Sequence, residues 1–266
     1  MRVSVLVVSF EVRDLLARCL ASLGGADEIV VVDNGSSDGS AAMVHERYPA
    51  LRLVAWTENR GYSAAINQAA REATGEAFLI LNPDAALPPD ALPRMIASLE
   101  RRPDASAIGF RQQDGAGRFQ LAVGPRPSFA LDLFRRSIQR GLDRGGGRLA
   151  RALDRAISRP VRVAWVSGSS MLVRRSAFER VGGFDERFFL YFEDADFCLR
   201  LRSAGGRVYY DPSISVVHER GASVSRDPAR ARRAYRESQL LYWEIHRGAW
   251  ARRLVHAYLR FRGEAP

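Results

Sequence analysis

Val3-Ser4-Val5-Leu6-Val7-Val8 opens the chain as a nearly unbroken Val/Leu run, and the reading of that run decides the fold. A strand buried on both faces has this composition, because helices cover both sides of a parallel sheet. The run passes into polar Ser9 and Glu11 with no small-residue cleavage site, so it reads as a first strand and not a signal peptide. Working outward, residues 12–23 carry helical spacing (Leu15, Leu16, Cys19, Leu20, Leu23) and stop at Gly24-Gly25. Ile29-Val30-Val31-Val32 is a second buried strand that ends at Asp33, and a helix is expected near 39–47. A third strand at 51–56, a helix at 62–73, a fourth strand at 77–81, a helix at 89–101 and a fifth strand at 106–110 continue the alternation. That rhythm predicts an α/β fold: a mixed, mostly parallel, Rossmann-like sheet flanked by helices.

Ligands of such sheets sit beyond the carboxyl ends of the strands. Attention therefore falls on Ser9, Asp33, Asn59 and Asp84, the polar residues that follow strand ends. Asp33 leads Asn34-Gly35-Ser36-Ser37-Asp38-Gly39, where a carboxylate can accept from the imide N–H of a pyrimidine base and glycines let backbone approach. The same composition also makes an ordinary turn and helix cap. Asn59-Arg60-Gly61 enters a helix with small residues and Asn67; close approach to a ligand and an Arg60–phosphate contact are one reading, a packed helix entry the other. Asn82-Pro83-Asp84 offers hard oxygen ligands suited to Mg²⁺ or Mn²⁺, and is equally good turn chemistry. Glu193-Asp194-Ala195-Asp196 places three carboxylates at a helix start, where the dipole favours them and where one can serve as general base. His218 follows a late strand and completes a metal site only if it meets Asp84 in space.

All 40 basic residues are arginine, and the net charge of +10 is uneven. Residues 126–162 carry ten Arg against three Asp, residues 226–266 ten Arg against four acids, and the remainder is mildly acidic. The segment 124–160 is expected to be a mobile, Arg-rich insertion with some helix. Short strands are expected at 207–210 and 214–217. The domain then runs over 1–225, and 226–266 is a basic, amphipathic helical tail. On that tail Trp250, Leu254, Tyr258 and Phe261 share one stripe, with Arg253 and Arg260 pointing elsewhere. Such a helix lies in an anionic membrane interface, or packs on its own domain, or on a second subunit in a homodimer. Cys19 and Cys198 form no motif and read as small buried hydrophobes in a reducing compartment. No window approaches 18 apolar residues, so no membrane span is expected. A dinucleotide-binding dehydrogenase needs a glycine-rich turn after the first strand; Ser9-Phe10-Glu11-Val12-Arg13-Asp14 has none. A nucleic-acid-binding role, prompted by the basic pI, conflicts with the acidic core. A non-catalytic nucleotide-sugar- or nucleic-acid-binding protein is the remaining alternative to an enzyme.

Six segments in order, V-V-D-N-G-S-S-D-G-S, E-N-R-G-Y-S-A-A-I-N, L-N-P-D-A, V-S-G-S-S-M-L-V-R-R, G-G-F-D-E-R-F-F-L-Y-F-E-D-A-D-F-C-L-R and V-V-H-E-R-G-A-S, resemble the family 2 glycosyltransferases of GT-A fold, in their rhamnosyltransferase-like branch. The resemblance implies an inverting transferase, at the cytoplasmic face of a membrane, that uses a nucleotide-sugar donor and a divalent cation. Its acceptor would be a saccharide or a lipid-diphosphate-linked saccharide in cell-surface polysaccharide synthesis. The implied donor is dTDP-rhamnose, with UDP- and GDP-sugars as alternatives. It also implies roles: Asp33 recognises the base, Asp84 and His218 hold the metal, and Asp194 is the catalytic base. Glu193 holds an acceptor hydroxyl, and Gly168 and Ser169 line the donor sugar. Ser9, Asn59, Arg60, Gly61, Asn67 and Asn82 fall to donor binding. Asn82 stands where the family's metal motif has its first Asp, and Phe10-Glu11 replaces the commoner Tyr-Asn.

Overall fold

The computed structural model describes residues 1–125, 147–219 and 228–266. Most of the expected insertion, residues 126–146, lies outside the described residues, as does Arg-Gly-Ala-Ser at the end of the last motif. The main sheet runs in the order Arg52–Trp56 (β3), Glu28–Asn34 (β2), Val3–Ser9 (β1), Ala77–Leu81 (β4), Ser170–Arg174 (β11), Ala105–Gln113 (β6), Arg207–His218 (β12) and Ala85–Ala86 (β5). Phe119–Gln120 (β7) pairs with β6 and Val161–Arg162 (β9) with β12, while Val123–Gly124 (β8) and Trp165–Val166 (β10) pair separately. Its first half is parallel: β1 (Val3–Ser9) lies between β2 (Glu28–Asn34) and β4 (Ala77–Leu81), with β3 (Arg52–Trp56) outside β2. β11 (Ser170–Arg174) is antiparallel to both β4 and β6 (Ala105–Gln113), which pairs in parallel with β12 (Arg207–His218). Both faces of β1 are buried, as the Val/Leu run requires.

The strand period of two divides the apolar residues between two cores. Val3, Val5, Val7, Leu79 and Leu81 face α1 (Arg13–Ala21), α2 (Ser40–Arg47) and α4 (Ala91–Glu100). Leu6, Val8, Phe78 and Ile80 face α3 (Tyr62–Glu72), α6 (Arg175–Arg180) and α7 (Glu193–Ser203). α5 (Gly147–Ala156) supplies the helix expected in the Arg-rich stretch. Cys19 and Cys198 are both free and buried.

One finding differs from the sequence reading, and the tail takes one of the forms expected of it. The two short strands expected at 207–210 and 214–217 are one twelve-residue strand, β12, with a register shift between Asp211 and Ser215. Pro212 lacks an N–H for the ladder, and buried Asp211 spans the bulge by accepting from Ser213 N (3.0 Å) and Ser98 Oγ (2.5 Å). The tail consists of α8 (Pro228–Arg247) and α9 (Ala249–Phe261), broken at Gly248 with φ of 88°. It packs into the same core as α3 and α7 through Leu240, Tyr242, Trp243, Val255 and Leu259. His246 Nε2, 2.9 Å from Asp196 Oδ1, and the Ser238 Oγ donation to Leu190 O (2.8 Å) pin α8 to the catalytic-side segment.

Because Trp243 is buried, Trp243→Ala is expected to lower stability by about 3–5 kcal/mol. Urea denaturation followed by circular dichroism measures this; a loss under about 1 kcal/mol would mean that the tail is not part of the core.

Candidate active site

The ends of β1, β2, β4 and β12 open on one cleft of about 720 Å³. Its floor is Asn82-Pro83-Asp84 with His218, and one wall is Ser167-Gly168-Ser169. Next to that wall stand Glu193 and Asp194 at the start of α7, and Arg230, Ala231, Ala234 and Tyr235 of α8 also line the cleft.

His218 reaches Asp84 because the last residues of β12 pair with the two-residue strand β5 (Ala85–Ala86), His218 opposite Ala85. Glu219 N donates to Asp84 O across the same junction (2.9 Å). The imidazole orientation is set from behind. Gln112 donates through Nε2 to Ser169 Oγ (2.6 Å), so its Oε1 faces His218 Nδ1 at 3.0 Å. An amide oxygen only accepts, so Nδ1 is the nitrogen that donates to Gln112, and Nε2 is the one turned toward Asp84. Nε2 lies 3.1 Å from Asp84 Oδ1, a buried oxygen with no hydrogen-bond partner among the described residues. Asn82 Nδ2 stands 3.4 Å from the same nitrogen. With the ring neutral, a cation satisfies both groups, and a buried oxygen left unmatched is the mark of a ligand position. Among the described residues no group of three or more His, Cys, Asp or Glu could hold a metal. Asp84 and His218 could supply two ligands to a magnesium-like ion, whose other ligands would be phosphate and water.

Asp194 Oδ2 accepts from Gly168 N (3.2 Å) and Oδ1 from Ala195 N (2.7 Å), which ties the helix start to the Ser-Gly-Ser wall. Glu193 is buried, and Oε2 has no partner among the described residues. Burial first, then the charges of Asp194 and Asp196, push its carboxyl well above the usual range. The backbone just before them is strained: Tyr191 and Phe192 take φ of 70° and 66°, rare for aromatic residues. Phe192 is held there by packing on Tyr235 and Tyr242, with ring centroids 5.2 and 5.4 Å away.

Ser9 and Asp33 pair in register at the ends of β1 and β2, beside the cleft. Asp33 Oδ1 accepts from Ser36 N (2.9 Å), while its Oδ2 and Ser9 Oγ are buried without partners among the described residues. Glu11 (φ 58°) clamps this loop by accepting from Ser37 N (2.6 Å) and Ser37 Oγ (2.9 Å). Asn59, Asn82, Asp84, Gly168, Ser169, Glu193, Asp194 and His218 all line the cleft.

Five expected donor-site residues do not line it: Ser9 and Asp33 stand beside it, and Arg60, Gly61 and Asn67 are engaged elsewhere. The Arg60 guanidinium pairs with Glu58 (3.2 Å) and stacks 5.1 Å from the Trp56 ring. Gly61 serves an approach of chain to chain: a Cβ there would meet Phe189 at 2.8 Å. Asn67 donates to Phe184 O (2.9 Å) and accepts from Phe184 N (2.9 Å), which fixes a turn and leaves its amide engaged. Conversely, the sequence reading missed Tyr62, whose hydroxyl lies 3.2 Å from Asn82 Oδ1 and 3.3 Å from Gly168 O. It also missed Gln112, which lies in the polar Arg111-Gln112-Gln113 end of β6, beyond the strand expected at 106–110.

The model of the family described as "Glycosyl transferase family 2" matches residues 4–182. This chain belongs to the family 2 glycosyltransferases. A second model, "Glycosyl transferase family group 2", matches residues 149–262. An N-acetylglucosaminyl-diphospho-decaprenol L-rhamnosyltransferase of Mycobacterium tuberculosis (strain ATCC 25618 / H37Rv) is 33% identical over 96% of this chain and 88% of its own length. The rhamnosyltransferase WbbL of Escherichia coli (strain K12) is 30% identical over 81% and 83%. Among solved structures, a mannosyltransferase of Pyrobaculum calidifontis in complex with GDP-Man and Mn²⁺ superposes with a TM-score of 0.56 at 22% identity, over 98% of this chain and 80% of that one. Staphylococcus aureus TarS with UDP-GlcNAc gives 0.61 at 16% identity, over 91% and 65%. The enzyme is a rhamnosyltransferase-like glycosyltransferase with a mixed, mostly parallel sheet flanked by helices.

The buried Glu193 carboxyl makes a pH prediction. A folded pKa above the unfolded value means that the native state holds the extra proton, so stability falls as pH rises from about 4.5 through the folded pKa. Glu193→Gln removes that loss. Urea midpoints at about pH 5 and about pH 8 are expected to show the variant gaining on the wild type at the higher pH. A pH-independent difference would contradict the assignment.

Proposed function

We propose that this glycosyltransferase moves rhamnose from dTDP-rhamnose to a hydroxyl of a lipid-diphosphate-linked saccharide, with inversion, in cell-surface polysaccharide synthesis at the inner face of the membrane. What supports the transfer chemistry is the meeting of Asp84, His218 and Asp194 in one cleft, from three separate parts of the chain. What supports the sugar and the lipid-linked acceptor is the similarity to rhamnosyltransferases, one of them named for a diphospho-decaprenol substrate.

Asp33 Oδ2 is suited to accept the imide N–H of a pyrimidine base, with Ser9 Oγ beside it. Asp84 and His218 would hold a divalent cation which, when bound, neutralises the charge of the diphosphate. Gly168 and Ser169, fixed by Tyr62 and Gln112, shape the wall along the donor sugar. Asp194 takes the proton of the acceptor hydroxyl as that oxygen bonds to the anomeric carbon. The bond from that carbon to the phosphate oxygen breaks in the same step, and its electron pair leaves on the nucleotide diphosphate. Neutral Glu193 donates a hydrogen bond to the acceptor and so orients the attacking hydroxyl without competing for the proton.

Incubation with dTDP-rhamnose, a lipid-diphosphate-linked acceptor and Mg²⁺ is expected to yield a rhamnosylated product whose anomeric configuration is opposite to that of the donor, read by NMR. UDP- or GDP-sugars accepted in preference would overturn the donor. Asp194→Asn is expected to bind donor normally and to lose about 10²–10⁴ in kcat. Near wild-type turnover removes Asp194 from the role of base.

Chelation with EDTA is expected to abolish transfer, and Mg²⁺ or Mn²⁺ to restore it. Gln112→Met, which frees the His218 ring, is expected to raise the metal concentration needed by about 10–100-fold. Full activity in EDTA would refute the metal assignment.

A further inference from the structure

We infer that the outward stripe of α9 is a docking surface for an anionic bilayer. This rests on the lipid-linked acceptor proposed above, and it assigns to particular residues the contact with the membrane that holds that acceptor. At 100° per residue, α9 presents two apolar stripes side by side. Ala251, Val255 and Leu259 form the buried one, against the core shared with α7. Trp250, Leu254 and Phe261 form the other, 65%, 59% and 89% exposed, with half-buried Tyr258 between the two. Single exposed apolar residues are ordinary, but an aligned Trp, Leu and Phe on one face is not.

Charge says what covers it. From Arg247 to Gly263 there are five arginines and no acid. Arg253 and Arg260, both exposed, fall along the solvent edge of the stripe, where their stems can lie on acyl chains while the guanidinium groups meet lipid phosphates. A second protein copy would bring the same positive charge against itself; an anionic surface complements it. Among the described residues no helix is long and apolar enough to cross a membrane, so the contact is one of lying on the surface. Continuity supplies the purpose. α9 follows α8 directly, and α8 lines the cleft through Ala231, Ala234 and Tyr235. Docking through α9 therefore sets the acceptor side of the site beside the bilayer without any moving part.

The test is co-sedimentation of the full chain with vesicles of phosphatidylglycerol and phosphatidylcholine in equal parts, against vesicles of phosphatidylcholine alone. Binding to the first, weakened by salt, with a blue shift of tryptophan emission that Trp250→Phe diminishes, is the expected result. The triple variant Trp250→Ser, Leu254→Ser, Phe261→Ser is expected to lower partition by at least about tenfold at an unchanged urea midpoint, since all three side chains face solvent. Arg253→Gln with Arg260→Gln is expected to reduce binding to the anionic vesicles selectively. A triple variant that sediments like the wild type overturns the inference. So does a wild type that stays in the supernatant and forms a dimer which the triple variant dissolves. Rhamnosyl transfer to a water-soluble, short-chain acceptor should be retained by the triple variant. A wild type that binds vesicles but transfers no rhamnose rejects the proposed reaction and leaves the docking surface standing.

Discussion

Two residues of antiparallel pairing, Val217 with Ala86 and His218 with Ala85, hold the end of β12 against the turn that follows β4. Everything chemical in the cleft depends on that junction. Without it, His218 would close an ordinary strand and Asp84 would cap an ordinary turn. With it, an imidazole nitrogen and a carboxylate oxygen from residues 134 positions apart lie 3.1 Å from each other. The chain of Ser167, Ser169 and Gln112 behind His218 shows that this is a held arrangement. The hydroxyls of the two serines are 2.8 Å apart, and each link fixes the orientation of the next. Ser169 immediately precedes β11, antiparallel between β4 and β6, so the strand that breaks the parallel pattern starts at this chain of bonds.

The C-terminal helices join two demands that the sequence alone presents as rivals. The inner side of α8 and α9 is core: Tyr242, Trp243, Val255 and Leu259 are as buried as residues of the sheet. Asp196, fully buried, accepts from Arg200 (2.7 Å) and lies against His246, so the helix that presents Asp194 is braced by the helix that walls the cleft. The outer side of α9 carries the aromatic stripe that periodicity detects. Packing on the domain and exposing an apolar face are therefore both true of one helix, because an apolar arc wider than about 100° exceeds what one neighbour can cover.

How much of this was legible depends on the kind of signal each feature sends. β1 to β4 and their helices were readable because burial on both faces leaves an unbroken apolar run and because glycine ends the helices. β12 was read as two strands because Pro212-Ser213 looks like a break; only the bulge geometry, with Asp211 bonded to Ser98 and Ser213, shows how a strand passes through it. Asn67 and Arg60 were expected at the donor because they sit in a segment rich in small residues. Spacing places a residue on an element but does not say which partner its side chain finds, and here Phe184 and Trp56 claimed them. Tyr62 lies inside a quoted motif and Gln112 in none, and for both the role exists only once Gly168 or His218 has been brought across from more than a hundred residues away.

The pair Glu193 and Asp194 carries the argument one step further. Adjacent residues of the same chemistry receive opposite treatment from the fold. Asp194 is the more open of the two and is met by two backbone N–H groups, while Glu193 is buried with an oxygen that has no partner among the described residues. The charge on Asp194 is itself one of the causes that keep Glu193 neutral, after burial. Two neighbouring carboxyls pushed apart in this way are suited to the roles proposed for them, one as base and one as hydrogen-bond donor to an acceptor hydroxyl. The strained backbone at Tyr191 and Phe192 is what turns the two side chains to different surroundings, and the packing of Phe192 on Tyr235 and Tyr242 sustains it. The C-terminal helices thereby reach the chemistry twice, as a wall of the cleft and as the clamp on the residue that precedes its two carboxyls.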